Sequence, residues 1–98
     1  MTWEVLFEPP AQAEIAEAFD WYEEKSYGLG GDFLRAVAAA TERLARDPEA
    51  FPRTSAGFRR VLLRRFPYAL HFQVLVGQTV SVLACLHHRR DPARWPGN

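Results

Sequence analysis

The sequence predicts an α+β fold: an N-terminal strand, an antiparallel helix hairpin, and a three- to four-stranded, largely antiparallel sheet against which the hairpin packs. Three observations predict it. Residues 58–95 alternate like strands between short turns. Residues 11–46 carry apolar side chains at helical spacing on either side of a glycine-rich break. A short alternating run precedes both.

Ninety-eight residues with 48% hydrophobic content suffice for a single domain, residues 1–98, around one modest core. The chain contains no apolar run long enough to span a bilayer and no basic start leading into an apolar stretch. Its lone cysteine, Cys85, has no partner for an internal disulfide and lies in an apolar run, as expected of a core residue in a reduced, cytoplasmic protein.

A net charge of zero conceals a division. Residues 1–52 carry 4 Lys/Arg against 11 Asp/Glu, a balance of −7, whereas residues 53–98 carry 8 Arg against Asp91 alone, a balance of +7. Eleven of the 12 cations are arginine, which favours planar, bidentate contact with carboxylate or phosphate. Pairing of the two halves with one another accounts for the asymmetry equally well.

Along the chain, residues 2–7 alternate Trp3, Val5 and Phe7 with Thr2 and Glu4, a strand pattern that Pro9-Pro10 ends. A first helix is expected over residues 11–24. Ala11, Ile15, Ala18 and Tyr22 form its apolar stripe, with Phe19 beside it, and Glu14, Glu17, Asp20 and Glu24 lie opposite. Gly28, Gly30 and Gly31 read as the turn. A second helix is expected over residues 32–46, with Asp32 as its N-cap and Phe33, Val37, Ala40 and Leu44 as its buried stripe, before Asp47-Pro48 stops it. Residues 49–57 form a loop.

Three strands follow, over residues 59–65, 68–76 and 79–87, with Phe66-Pro67 at one corner and Gly77-Gln78 as a two-residue type II′ hairpin. Two-residue turns set the register. They place Val61, Leu63, Leu70, Phe72, Val74, Leu83 and Cys85 on the core face, with Tyr68 and His87 at its end. Arg60, Leu62, Arg64, Ala69, His71, Gln73, Val82, Ala84, Leu86 and His88 fall on the other, half-open face. Two arginines and two histidines there read as a site, or as solvated outward residues of an antiparallel sheet.

Strand, helix hairpin and meander in this order carry further motifs. These are Ala13 to Tyr22 (AEIAEAFDWY), Gly28-Leu29-Gly30 before Phe33, the Pro48 to Pro52 loop, Arg65-Phe66-Pro67-Tyr68, and His88-Arg89-Arg90-Asp91-Pro92 with Trp95. Together they resemble the RelE/ParE superfamily of toxins from type II toxin–antitoxin modules, over nearly the whole chain. The resemblance implies a growth-arresting toxin that a cognate antitoxin protein wraps and neutralises. ParE-like members are described as poisons of DNA gyrase; RelE-like members resemble metal-free ribonucleases that cut mRNA on the ribosome. The tail and the Phe-Pro-Tyr corner lean toward ParE. The lysine-rich sheet typical of RelE-like nucleases is missing, since Lys25 in the helical half is the only lysine.

The residue types allow both chemistries. For partner or target contact, Arg59, Arg60, Arg64, Arg65, His88, Arg89 and Arg90 supply cations, and Trp21, beside the buried stripe of the first helix, suits an antitoxin groove. Trp21 packed against Phe51, and a loose tail over residues 89–95, are the structural readings of the same residues. A ribonuclease would use Arg60 and Arg64 on the phosphate and His71 and His88 as base and acid. A binding module without toxicity is a third class. No metal or other cofactor is expected: His87 and His88, adjacent on a strand, point to opposite faces, and no carboxylate or cysteine stands at ligand spacing. Cys85 is too apolar in context for a nucleophile.

Overall fold

The structure, a computed structural model, describes residues 2–54 and 57–90. The elements run β1 (Glu4–Phe7), α1 (Pro9–Lys25), α2 (Leu29–Arg46), a 3-10 turn (Pro48–Ala50), β2 (Arg59–Leu62), β3 (Tyr68–Leu75) and β4 (Thr79–His87). The sheet order is β1-β4-β3-β2, with β1 parallel to β4 and the other pairs antiparallel. A parallel pair cannot be joined by a hairpin: β1 leads through the two helices to β2 at the opposite edge of the sheet, and β3 brings the chain back to β4.

Pro9 and Pro10 open α1, where a missing N–H costs nothing. Glu8 ties this corner to the sheet: its N–H donates to the Val82 carbonyl at 2.9 Å, and its carboxylate accepts from the Ser81 hydroxyl at 2.8 Å. Ala11 and Ala18 are buried, and Ile15 and Tyr22 pack on the same core.

The second helix begins at Leu29, three residues before the sequence expectation, so Asp32 lies inside the first turn and is not the N-cap. Gly28, at φ 87°, holds that position. The cap comes from the preceding helix instead. The Glu23 carboxylate accepts from the N–H groups of Gly28 (3.0 Å) and Gly30 (2.9 Å), satisfying two donors that a helix start leaves unpaired. Gly30 is small because the helices touch there. A Cβ on it would sit 2.8 Å from two ring carbons of Phe19. The expected stripe of α2 is buried throughout: Phe33, Val37, Ala40 and Leu44.

The meander departs from the expected register in one stretch. The hairpin loop holds three residues, Val76, Gly77 and Gln78, because Leu75 pairs with Thr79. Gly77 and Gln78 both have positive φ (78° and 57°), whereas a type II′ turn needs it only at the first. The extra loop residue shifts pairing by one. A bulge between His71 and Phe72 on one strand and Val82 and Ala84 on the other shifts it back, leaving Leu83 as the surplus residue. Leu83 therefore loses the core position expected for it. Val82, expected on the other face, pairs with Phe72 and is fully buried in the core. From His71 to Tyr68 the expected register holds, with Leu70 opposite Cys85 and Tyr68 opposite His87.

Between helices and sheet, Tyr22, Phe33, Phe66 and Tyr68 form an aromatic cluster with ring centroids 4.9–6.1 Å apart. Such pairs add about 0.5–1.5 kcal/mol each beyond simple area burial. The far face of the sheet is not half-open, as the sequence suggested. Ala69, His71, Leu86 and Ser81 are buried there, while Glu4, Leu6, Leu62 and Leu75 at its margins are exposed.

Candidate functional site: an arginine corner and an acidic groove

The expected cationic strip on the sheet face is split by the local geometry. β2 ends at Leu62, and the Leu63 N–H bonds the Tyr68 carbonyl at 2.9 Å, so residues 64–67 form a tight corner. Arg65 takes a left-handed conformation there, φ 77°. Arg64 thus leaves the strand, and the expectation that it shares a pleated face with Arg60 is corrected. Both Arg64 and Arg65 are exposed.

Helix α2 supplies the rest of this corner. Arg65 Nη2 reaches Asp32 Oδ2 at 3.4 Å, and Arg35 bonds the other oxygen of the same carboxylate. The Arg35 hydrogen bond, aided by the Arg35 and Arg65 charges, holds the Asp32 carboxyl below the usual carboxylate range. Arg43 donates to the Leu62 carbonyl at 3.1 Å. Burial and the neighbouring Arg64 charge both lower its pKa. Arg35 and Arg43, about 12 Å apart along α2 at helical rise, therefore flank the corner that carries Arg64 and Arg65. Sequence reading missed Arg35 and Arg43. Their spacing of eight, two turns along one helix face, was the available signal.

One of the expected contact arginines, Arg59, is engaged within the fold. Arg59 Nη1 donates to the carbonyls of Glu49 (3.1 Å) and Phe51, pinning the loop after α2 against β2. Arg60 is half-buried and lies opposite His71 across β2 and β3.

His71 is fully buried. Burial, together with the Arg60 charge, pushes its pKa down to about 4, so the ring is neutral at physiological pH. The expectation that it titrates near neutrality on an open face is corrected. His88 lies beyond the end of β4, its N–H bonded to the Pro67 carbonyl at 2.9 Å. His71 pairs with Ala84, four residues before His88, a separation of about 13 Å at the rise of a strand. General acid and base on one phosphodiester need far closer placement.

A second feature lies at the carboxyl end of the sheet. His87 Nδ1 accepts from the N–H groups of Arg89 (3.0 Å) and Arg90 (3.1 Å), which turns the chain sharply. The Arg90 guanidinium then donates to the Tyr68 hydroxyl and lies 5.8 Å from the Trp21 ring centroid and 5.9 Å from that of Tyr68. Lys25 Nζ approaches Trp21 as well, at 4.8 Å, and the indole remains 45% exposed. Arg89 is exposed; residues 91–95 of the expected contact tail lie outside the described residues.

Between α1 and this end of the sheet runs a groove of about 340 Å³. Glu14, Glu17, Asp20 and Glu24 line one wall, and Tyr68, Leu86 and Arg90 the other. Cys85 lies at its floor. Burial, reinforced by Glu14, pushes the thiol up to about 12, so it stays protonated and inert. Among the described residues, no group of three His, Cys, Asp or Glu side chains is placed to hold a metal ion, and no helix is long and apolar enough to cross a membrane.

Comparison with known proteins agrees with the geometry. The family described as the ParE toxin of type II toxin-antitoxin system, parDE, matches residues 5–92. A chain of the chromosomal ParDE toxin–antitoxin system from P. aeruginosa superposes with a TM-score of 0.72 at 15% identity, covering 88% of this chain and 96% of its own length. A chain of the toxin–antitoxin complex RelBE2 from Mycobacterium tuberculosis gives 0.60 at 21% identity, covering 89% and 99%. A search of curated protein sequences finds no significant match. Strand, helix crossover and meander, together with the match across residues 5–92, place the chain in the ParE toxin family of type II toxin–antitoxin systems.

Proposed function

We propose that this toxin arrests growth in the cytoplasm by binding DNA gyrase, without catalysis of its own, and that a cognate antitoxin protein neutralises it. The observation that carries the reading is the state of the two histidines. A ribosome-dependent ribonuclease built on Arg60, Arg64, His71 and His88 needs a titrating pair beside a phosphate. Here His71 is buried and neutral, and about 13 Å of strand separates it from His88. The exposed cations of Arg35, Arg64 and Arg65 instead offer a protein-binding corner rich in bidentate donors.

The test is expression of the chain without antitoxin, alongside a supercoiling assay with purified gyrase. A gyrase target gives growth arrest, induction of the DNA-damage response and loss of supercoiling. Rapid mRNA loss with supercoiling intact assigns the protein to the ribonuclease class. Unimpeded growth assigns it to the non-toxic binding modules.

A further inference from the structure

We propose that the groove between α1 and the carboxyl-terminal half of β4 seats a short, extended, basic segment of a partner protein. This rests on the partner-binding reading above and supplies the chemistry of the segment.

The two strands at this edge have unequal lengths. β4 runs nine residues, but β1 pairs only with Thr79 to Val82. It cannot follow β4 further, because Pro9-Pro10 turns the chain into α1. The last five residues of β4 therefore run on past the end of their neighbour.

Cys85 shows which way this edge points. Its N–H donates to Glu14 Oε1 at 2.9 Å, away from β3. In an antiparallel ladder a residue's N–H and carbonyl point to the same side, so the Cys85 carbonyl faces the groove too. A carboxylate on the N–H stands where a neighbouring strand's carbonyl would be. The matching acceptor is placed for an incoming backbone N–H.

The walls decide the charge of the occupant. Among the described residues, four carboxylates line the groove against one guanidinium, that of Arg90. Complementarity selects basic side chains, whose aliphatic stems can lie along the exposed Trp21. Arg90 already displays the mode of binding: a guanidinium bonded to the Tyr68 hydroxyl beside two aromatic rings.

The experiment uses the full chain and a six-residue, end-blocked peptide of alternating arginine and valine, with its glutamate–valine twin as control. Amide shifts are followed by NMR and affinity by anisotropy. The basic peptide is expected to bind, to shift the amides of Ala84 to His87 and the Trp21 indole, and to weaken at least tenfold in the Glu17→Lys, Asp20→Lys double variant. Both positions are exposed, and circular dichroism verifies the fold of the variant. N-methylation of the central valine, which removes the N–H meant for the Cys85 carbonyl, is expected to weaken binding at least fivefold. No binding, equal binding by the acidic twin, the double variant or the N-methylated peptide, or shifts that map elsewhere overturn the proposal. So does occupancy of the groove by a second copy of the chain, seen as a dimer that the double variant dissociates. Growth arrest on expression is scored in parallel. Arrest without peptide binding overturns this proposal alone, and binding without arrest overturns the toxin reading alone.

Discussion

Arg60 and His71 stand opposite one another on β2 and β3, and the imidazole of this pair is wholly buried. Burial first, and the guanidinium second, keep the ring neutral down to about pH 4. The unfolded chain protonates its histidine near the ordinary value of 6.5. As pH falls, the unfolded state therefore takes up the proton first. This contribution to stability is whole above pH 6.5 and is lost on the way down to about pH 4. Between pH 7.5 and 5 the expected loss is about 2 kcal/mol. Urea unfolding at both pH values checks it. The His71→Leu variant, which cannot titrate, is expected to show a much flatter profile over the same interval.

Cys85 carries a thiol whose pKa is pushed from 9.0 to about 12. At pH 8 the thiolate fraction falls roughly a thousand-fold relative to an ordinary cysteine. Alkylation by iodoacetamide, followed by mass spectrometry, is expected to be slower by about that factor in the folded protein and normal in urea. Fast labelling of the native state would show that the floor of the groove is open to solvent.

Gly30 meets the side chains of Phe19 and Glu23 closely enough that a methyl group has no room. The Gly30→Ala variant is expected to lose about 1–3 kcal/mol, despite the better helix propensity of alanine. Glu23→Ala removes the cap from the first turn of α2 and is expected to lose about 1–2 kcal/mol. Thermal unfolding of both variants measures the joint between the helices.

Substitutions at Arg59 and Arg64 are expected to separate fold from the proposed function. Arg59→Ala frees two carbonyls of the loop after α2 and is expected to cost about 1–3 kcal/mol. Arg64→Glu combined with Arg65→Glu replaces exposed side chains, loses one weak ion pair to Asp32, and is expected to stay within about 1 kcal/mol of the parent. The same double variant is expected to reduce gyrase inhibition at least tenfold in the supercoiling assay. Unchanged inhibition would remove the arginine corner from the interface.

Periodic features of the chain were legible before any coordinates. The buried face of α2 follows from Phe33, Val37, Ala40 and Leu44 at helical spacing, and the meander β2-β3-β4 from alternation between short turns; that β1 joins it beside β4 does not. These rest on the repeat of the backbone, which one stretch of sequence carries within itself. The exchange of Val82 for Leu83 in the core was hidden. A longer hairpin and a bulge cancel one another, and either alternating pattern looks equally apolar. The departure of Arg64 from the strand, the burial of His71, and the reach of Glu14 to the Cys85 N–H, 71 residues along the chain, were hidden for a different reason. Each depends on which segments meet, and contacts between distant segments leave no spacing for a reader to find.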